Sequence, residues 1–212
     1  MAREVLVRGQ GEASAMPDHA AVQVTVEADG DSQQDAYSQA AEIAAAVDAV
    51  LAAHSAAVSR TTTTSLVVHP RTRWKKGEEV RTGWRATRTS AVEVTDFGQL
   101  GVLMAELVDA GAAVAGVSWE LSLSNPVHDE ARQQAARQAR AKAEAYAAAL
   151  GLTLGPVAWI AEPGMRLRSD GPVAASGFVL RSAAHALADE PIDVSPGEIT
   201  VQAAVEVGFE LL

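Results

Sequence analysis

NPVHDEARQQAARQARAKAEAYAAALG, residues 125–151, is the longest unbroken signal in the chain. Asn125 suits a helix cap and Pro126 the first helical position, while Asp129 and Glu130 lie near the positive end of the dipole. Gly151 supplies a left-handed stop. Between these limits Ala131, Ala135, Ala139, Ala143, Tyr146 and Leu150 recur at three- and four-residue steps and share one face. Arg132, Arg137, Arg140, Lys142 and Glu144 fall largely elsewhere, where water reaches them. At 1.5 Å per residue the helix is roughly 37 Å long. A stripe made mostly of Ala buries little area per residue but lets a backbone lie very close to a sheet. The segment is predicted to buttress one.

Outward from that helix, Val117, Trp119, Leu121 and Leu123 alternate through a strand that delivers the chain to it. Before them, Phe97, Leu100, Leu103, Met104, Leu107 and Val108 mark a short amphipathic helix ending at Gly111. After Gly151, Val157 to Ala161 reads as a strand. Residues 163–196 lack a period and are rich in Gly, Pro, Ser and Ala, which predicts a long, partly mobile excursion. Ile199, Val201, Ala203, Val205, Val207 and Phe209 then alternate through a closing strand over 198–210.

Nearer the start, Val5 and Val7 lead into Gly9 and Gly11 as a first strand. Pro17 and Asp18 form a turn, and Ala20, Val22, Val24 and Val26 alternate cleanly after it, so the two strands are predicted to form a hairpin. Ser32 with Asp35 opens a helix carried by Ala36, Ala40, Ile43, Val47, Val50 and Leu51 to about Ala53. Arg60 to His69 reads as a Thr/Val-rich strand, paired with Val80 to Thr95 through a tip at Lys75, Lys76, Gly77 and Glu78. The fold class that follows is α+β. Mainly antiparallel sheets built from hairpins are packed by two amphipathic helices and one long Ala-rich helix. We expect a single domain over residues 1–212.

The net charge of -10 argues against general binding of nucleic acid or anionic membrane by the whole surface. With no cysteine, disulfides, thiolate metal sites and a Cys nucleophile are excluded. The first twenty residues hold no apolar run of signal-peptide length, and nowhere do eighteen apolar residues run together. The expected location is cytoplasmic as the sequence stands, or periplasmic or exported if a leader has been removed. No membrane span is expected.

Val7, Gly9 and Gly11 form V-x-G-x-G, followed by Pro17-Asp18 and an alternating strand. This opening resembles that of the SIMPL-domain family, a bacterial domain of unknown function that includes immunogenic outer-membrane-type proteins and a eukaryotic kinase-associated signalling protein. Further matches follow in order: Thr62 to Pro70, the strand containing Trp84, Gly111 to Leu123, and Glu130-Ala131-Arg132 at the head of the Ala-rich helix. Leu150 to Val157 and Pro196-Gly197-Glu198-Ile199 complete the set. The resemblance implies an α+β fold and, in some members, large homo-oligomers. It carries no agreed catalytic residues. Many bacterial relatives are exported, whereas this chain shows no signal.

Gly9-x-Gly11-x-x-Ser14 has the look of a dinucleotide loop, but a strand rather than a helix follows it, so a glycine-kinked strand is the better reading, since Gly in a strand marks a bulge or a close backbone approach. His19, His54, His69, His128 and His185 lack metal-site spacing, and no G-x-S-x-G elbow exists around Ser118 or Ser122. No catalytic, cofactor or metal residues are assigned, and no cofactor is expected. The strongest local anomaly is the candidate interaction surface Arg71, Arg73, Trp74, Lys75, Lys76, Arg81, Trp84, Arg85 and Arg88. These hold seven of the seventeen basic residues in the chain. Such a hairpin can meet the acidic surface of another subunit, follow a phosphate backbone while stacking bases, or simply be solvated with its Trp residues covering the core edge. The leading expectation is a non-enzymatic, self-assembling binding or scaffold protein, with an envelope or stress role suggested by the resemblance. A separate protein partner, a nucleic-acid-binding module and an unrecognised hydrolase follow behind it.

Overall fold

A computed structural model describes residues 3–75, 77–165 and 196–212. In chain order they form β1 (Glu4–Ala15), β2 (His19–Gly30), α1 (Gln33–Ala53), β3 (Val58–Lys75), β4 (Glu78–Val94), α2 (Phe97–Asp109), β5 (Ala113–Glu120), α3 (Pro126–Ala149), β6 (Leu154–Ala161) and β7 (Ile199–Leu211). The architecture is α+β, with two antiparallel sheets. Most of the predicted 163–196 excursion lies outside the described residues. The described residues divide into two compact units, one of residues 3–16, 122–165 and 198–212, the other of residues 17–75, 77–121 and 196–197.

The first unit is a sheet ordered β1-β7-β6 with α3 laid against it. β1 and β7 pair without a register shift from Glu4↔Glu210 to Ala15↔Ile199. Alternation turns Val7, Gly9, Gly11 and Ala13 to the buried side. There they meet Ala131, Ala135, Ala139 and Ala143, all fully buried. A Cβ built on Gly9 would stand 1.9 Å from the carbonyl oxygen of Ala135, and one on Gly11 2.2 Å from that of Ala131. Helix backbone therefore rests on strand backbone: the glycine pair marks a close approach, and β1 carries no bulge against β7. Asn125 caps α3 by accepting from the Val127 N–H, and Gly151 follows at φ 69°.

Two expectations for this unit need correction. Tyr146 and Leu150 are 58% and 70% exposed, and Ala147 takes the buried place. The contact follows one unbroken i+4 ridge, which runs oblique to the helix axis, so the position three residues after Ala143 falls off it. Nor do β1 and β2 form a hairpin. Among the described residues β1 pairs only with β7, which lies at the centre of its sheet, while β2 pairs with β4 and β5. Pro17-Asp18 is a real break, but a break does not choose partners. Those are set by which distant strand offers a matching buried face.

The second unit is a sheet ordered β3-β4-β2-β5 with α1 and α2 on one face. Val22, Val24, Val26, Ala86, Val92 and Val94 point to that face. They pack with Ala36, Ala40, Val47 and Leu51 of α1 and Leu100, Leu103 and Leu107 of α2. Ser32 caps α1 through the Asp35 N–H at 3.1 Å, and Asp96 caps α2 through that of Gly98 at 3.0 Å. The predicted β3–β4 hairpin is present and longer than expected, with Gly77 at φ 87° in its tip. β5, by contrast, begins at Ala113 and ends at Glu120, leaving Leu123 94% exposed. Its register jumps where Val22 and Gln23 face Val117 and Ala115, with Gly116 at φ 59° unpaired between them. That bulge resets the alternation by one residue and hides the first half of the strand from a periodic reading.

Gly9→Ala is expected to destabilise the first unit by about 2–3 kcal/mol, because the clash is with helix backbone and cannot be relieved by a rotamer change. Gly101→Ala on α2, where an added Cβ meets open space, is expected to stabilise by about 0.5–1 kcal/mol. Urea midpoints of the two variants check the contrast.

Candidate interaction surface

Pairing between β2 and β4 stops at Gly30↔Trp84, but β3 and β4 continue past it. Arg71–Lys75 and Glu78–Gly83 thus form a two-stranded arm, roughly 17 Å long at 3.3 Å per residue. Its base is a tight corner. Gly83 adopts φ 145°, and a Cβ there would approach the Gly30 carbonyl oxygen at 2.9 Å.

The nine residues singled out from the sequence occupy three environments. Arg71, Arg85 and Arg88 are held by carboxylates of their own unit. Arg85 grips Asp29 with Nε at 2.7 Å and Nη2 at 3.1 Å, reaches Glu27 at 3.3 Å, and shares Asp29 with Arg71. Arg88 forks onto Asp48 of α1 at 2.9 and 2.6 Å. Such two-pronged guanidinium–carboxylate pairs fix orientation as well as charge. Trp84 is partly buried against the core, with the Arg81 guanidinium carbon 5.5 Å from its ring centroid. Arg73, Trp74 and Arg81 lie on the arm itself and are exposed, Trp74 to 73%. Lys75 pairs with Glu78 through the backbone, and Lys76 lies outside the described residues.

Glu27, Asp29 and Asp48 were not singled out as the partners of these arginines. Glu27 and Asp29 sit on the face of β2 opposite Val26 and Ala28, so alternation alone was a usable signal for the first two. The Asp29 carboxyl is held below its ordinary value of 3.8, first by the hydrogen bond from Arg85, against the cost of desolvation and with help from the charges of Arg71 and Arg85. Asp29 in turn raises Arg85, and Asp48 raises Arg88.

Free sheet edges are the other candidate contacts. The edge of β1 is partly taken: Gln10 N–H donates to Gln138 of α3 at 2.7 Å, and Lys142 Nζ donates to the Arg8 carbonyl at 2.9 Å. Edge groups occupied in this way are poor templates for a foreign strand. β7 is the middle strand of its sheet and offers no edge.

The histidines are dispersed. His19 lies between Asp18 and Glu120, His54 beside Glu106, and His128 beside the Ser122 carbonyl. Among the described residues, no group of three His, Asp or Glu is placed to hold a metal ion, and no helix is long and apolar enough to cross a membrane.

The family model described as SIMPL, a protein of unknown function (DUF541), matches residues 5–209. The chain belongs to the SIMPL family. No curated protein matches it at a significant level. The SIMPL match spans both compact units, so the glycine pair of β1 and the arm of β3 and β4 fall within one family pattern.

A carboxyl with a depressed folded-state pKa contributes stability above its unfolded value and loses it as pH falls through the folded one. Asp29→Asn is therefore expected to lower the denaturant midpoint at neutral pH. The gap from wild type should close as pH is taken below 3.8. A gap that persists in acid would mean that the charge of Asp29 is not what secures the base of the arm.

Proposed function

We propose that this SIMPL protein is non-enzymatic and self-assembling, a binding or scaffold protein whose contact is made by the outer part of the β3–β4 arm. The observation that carries this reading is Trp74, 73% exposed on a ribbon that has left its sheet. The other three Trp residues are at least partly buried. A two-stranded ribbon has little stability of its own, and a large exposed aromatic on it favours a partner. Arg73 and Arg81 are exposed on the same arm as Trp74, Arg81 over the Trp84 ring, while the chain as a whole carries -10. A second copy therefore supplies the acidic surface such an arm would seek. A nucleic-acid reading draws on the same residues, but it loses three of the cations to carboxylates of the protein itself. The envelope or stress setting of the reading rests on family resemblance.

Light scattering tests it. Wild type is expected to show a discrete mass above that of one chain at low salt, falling at moderate salt. Arg73→Glu/Arg81→Glu should lower the mass under both conditions. Arg85 is left intact because its reversal would also break the Asp29 clamp. A wild-type monomer throughout, or an unchanged mass in the double variant, would remove the arm from the reading.

A further inference from the structure

We propose that the outer edge of β3, with the flank of α1 beside it, is a strand-accepting groove that takes an extended acidic segment of another protein. The groove lies off the arm, and nothing in it rests on self-assembly.

β3 is the outermost strand of its sheet. Residues 59–67 are all exposed, those on the helix side of the sheet included. The reason is that α1 packs mainly over β2 and β4 and leaves β3 overhanging. Pairing with Val92 and Arg88 puts Thr61 and Leu66 on the helix side, where Leu66 is 55% exposed. Among the described residues, no side chain or further strand takes the outward backbone groups of residues 60–68. The stretch from Thr61 to Val68 holds no Lys and no Pro, the usual guards of an edge. Its bulge residues Ser59 and Thr64 turn their hydroxyls inward, to the Glu93 and Thr89 carbonyls of β4 at 3.3 and 3.2 Å. The other outer strands are less open. β1 is covered by Gln138 and Lys142, β5 is short and bulged, and β6 carries Pro156.

A cleft of about 320 Å³ runs between α1 and the start of β3. Leu51, Ala52 and Ser55 line it from the helix, Val58 and Thr61 from the strand. Asp48 also borders it, but Arg88 already meets that charge. A strand laid on the edge lies about 4.8 Å from β3 and points alternate side chains to opposite faces. Those on the helix side enter the cleft, where Leu51, Ala52 and Val58 favour apolar groups. Those on the other side lie along Arg60.

Charge selects the occupant. β3 carries Arg60, Arg71, Arg73 and Lys75 and no carboxylate. Arg71 is held by Asp29, whereas Arg60 is exposed and its nearest acid, Glu93, stands 3.7 Å away, too far for a hydrogen bond. A carboxylate opposite Arg60 on the added strand completes a cross-strand pair. Self-pairing with β3 of a second copy would set two basic strands together with no carboxylate on either. Backbone pairing therefore supplies the attraction, and an alternation of apolar and acidic residues the selectivity.

A fluorescein-labelled heptapeptide of alternating Val and Glu tests this by anisotropy. Methylating the backbone nitrogens of its Val residues, or of its Glu residues, silences one lateral edge or the other. Only one of these two versions should lose affinity, by roughly tenfold or more, since only one edge faces β3. Arg60→Glu and Ala52→Glu, both at exposed positions, should each weaken the unmodified peptide about fivefold while keeping a wild-type far-ultraviolet spectrum. Trp74→Ser should bind it like wild type. No binding of the peptide, or equal losses in both methylated versions, would overturn the inference. A loss in Trp74→Ser would place the peptide on the arm and overturn it as well. If the peptide does not bind but Arg60→Glu lowers the mass seen by light scattering, the edge belongs to a second copy and not to a separate partner.

Discussion

The contact between Gly9 and Gly11 of β1 and the backbone of α3 is the constraint on which the first unit depends. Two strand positions without side chains face helix positions that carry only a methyl group, so two regular backbones touch where side chains would normally separate them. Each Ala buries little apolar area, and the gain comes from many close atom pairs along the length of the helix rather than from a few large groups. Such packing cannot be adjusted by rotamers. It holds β1 in an unshifted register with β7 and brings Gln138 and Lys142 over the outer edge of β1.

The second unit is built differently. Its core is made of Val and Leu, which bury more area and tolerate more variation in spacing. That core ends where β2 ends. Beyond Gly30 the hairpin has no third strand, and its direction there is set by a glycine corner and by two arginines closing on Asp29. Electrostatics takes over as packing runs out. This division also sorts the basic residues: Arg71, Arg85 and Arg88, at or near the base of the arm, are committed to carboxylates of their own unit, while Arg73 and Arg81 further out make no ion pair among the described residues.

Much of this was legible in the sequence because it is local. The caps Ser32, Asn125 and Gly151, the periods of the three helices, and the hairpin from β3 to β4 all depend on residues within a few positions of one another. The glycine pair was legible as a feature of a strand and not of a nucleotide loop, because a strand, rather than a helix, follows it. Alternation found Val117 and Trp119 but missed the first half of β5, because Gly116 inserts one residue and breaks the period there. It failed at Tyr146 because the difference between three- and four-residue spacing decides burial only once the angle between helix and strand is known.

By itself the sequence determined the elements, the α+β class and the location of the charge anomaly, since propensity, capping and periodicity act over short range. Only the tertiary structure decided that β1 takes β7 rather than β2 and that β7 lies in the middle of its sheet. Pairing depends on faces brought together from opposite ends of the chain. It alone also divided the basic hairpin. Arg85 and Arg88 look no different from Arg73 and Arg81 in sequence, and they part company because Asp29 and Asp48 lie within reach of the first pair and not of the second.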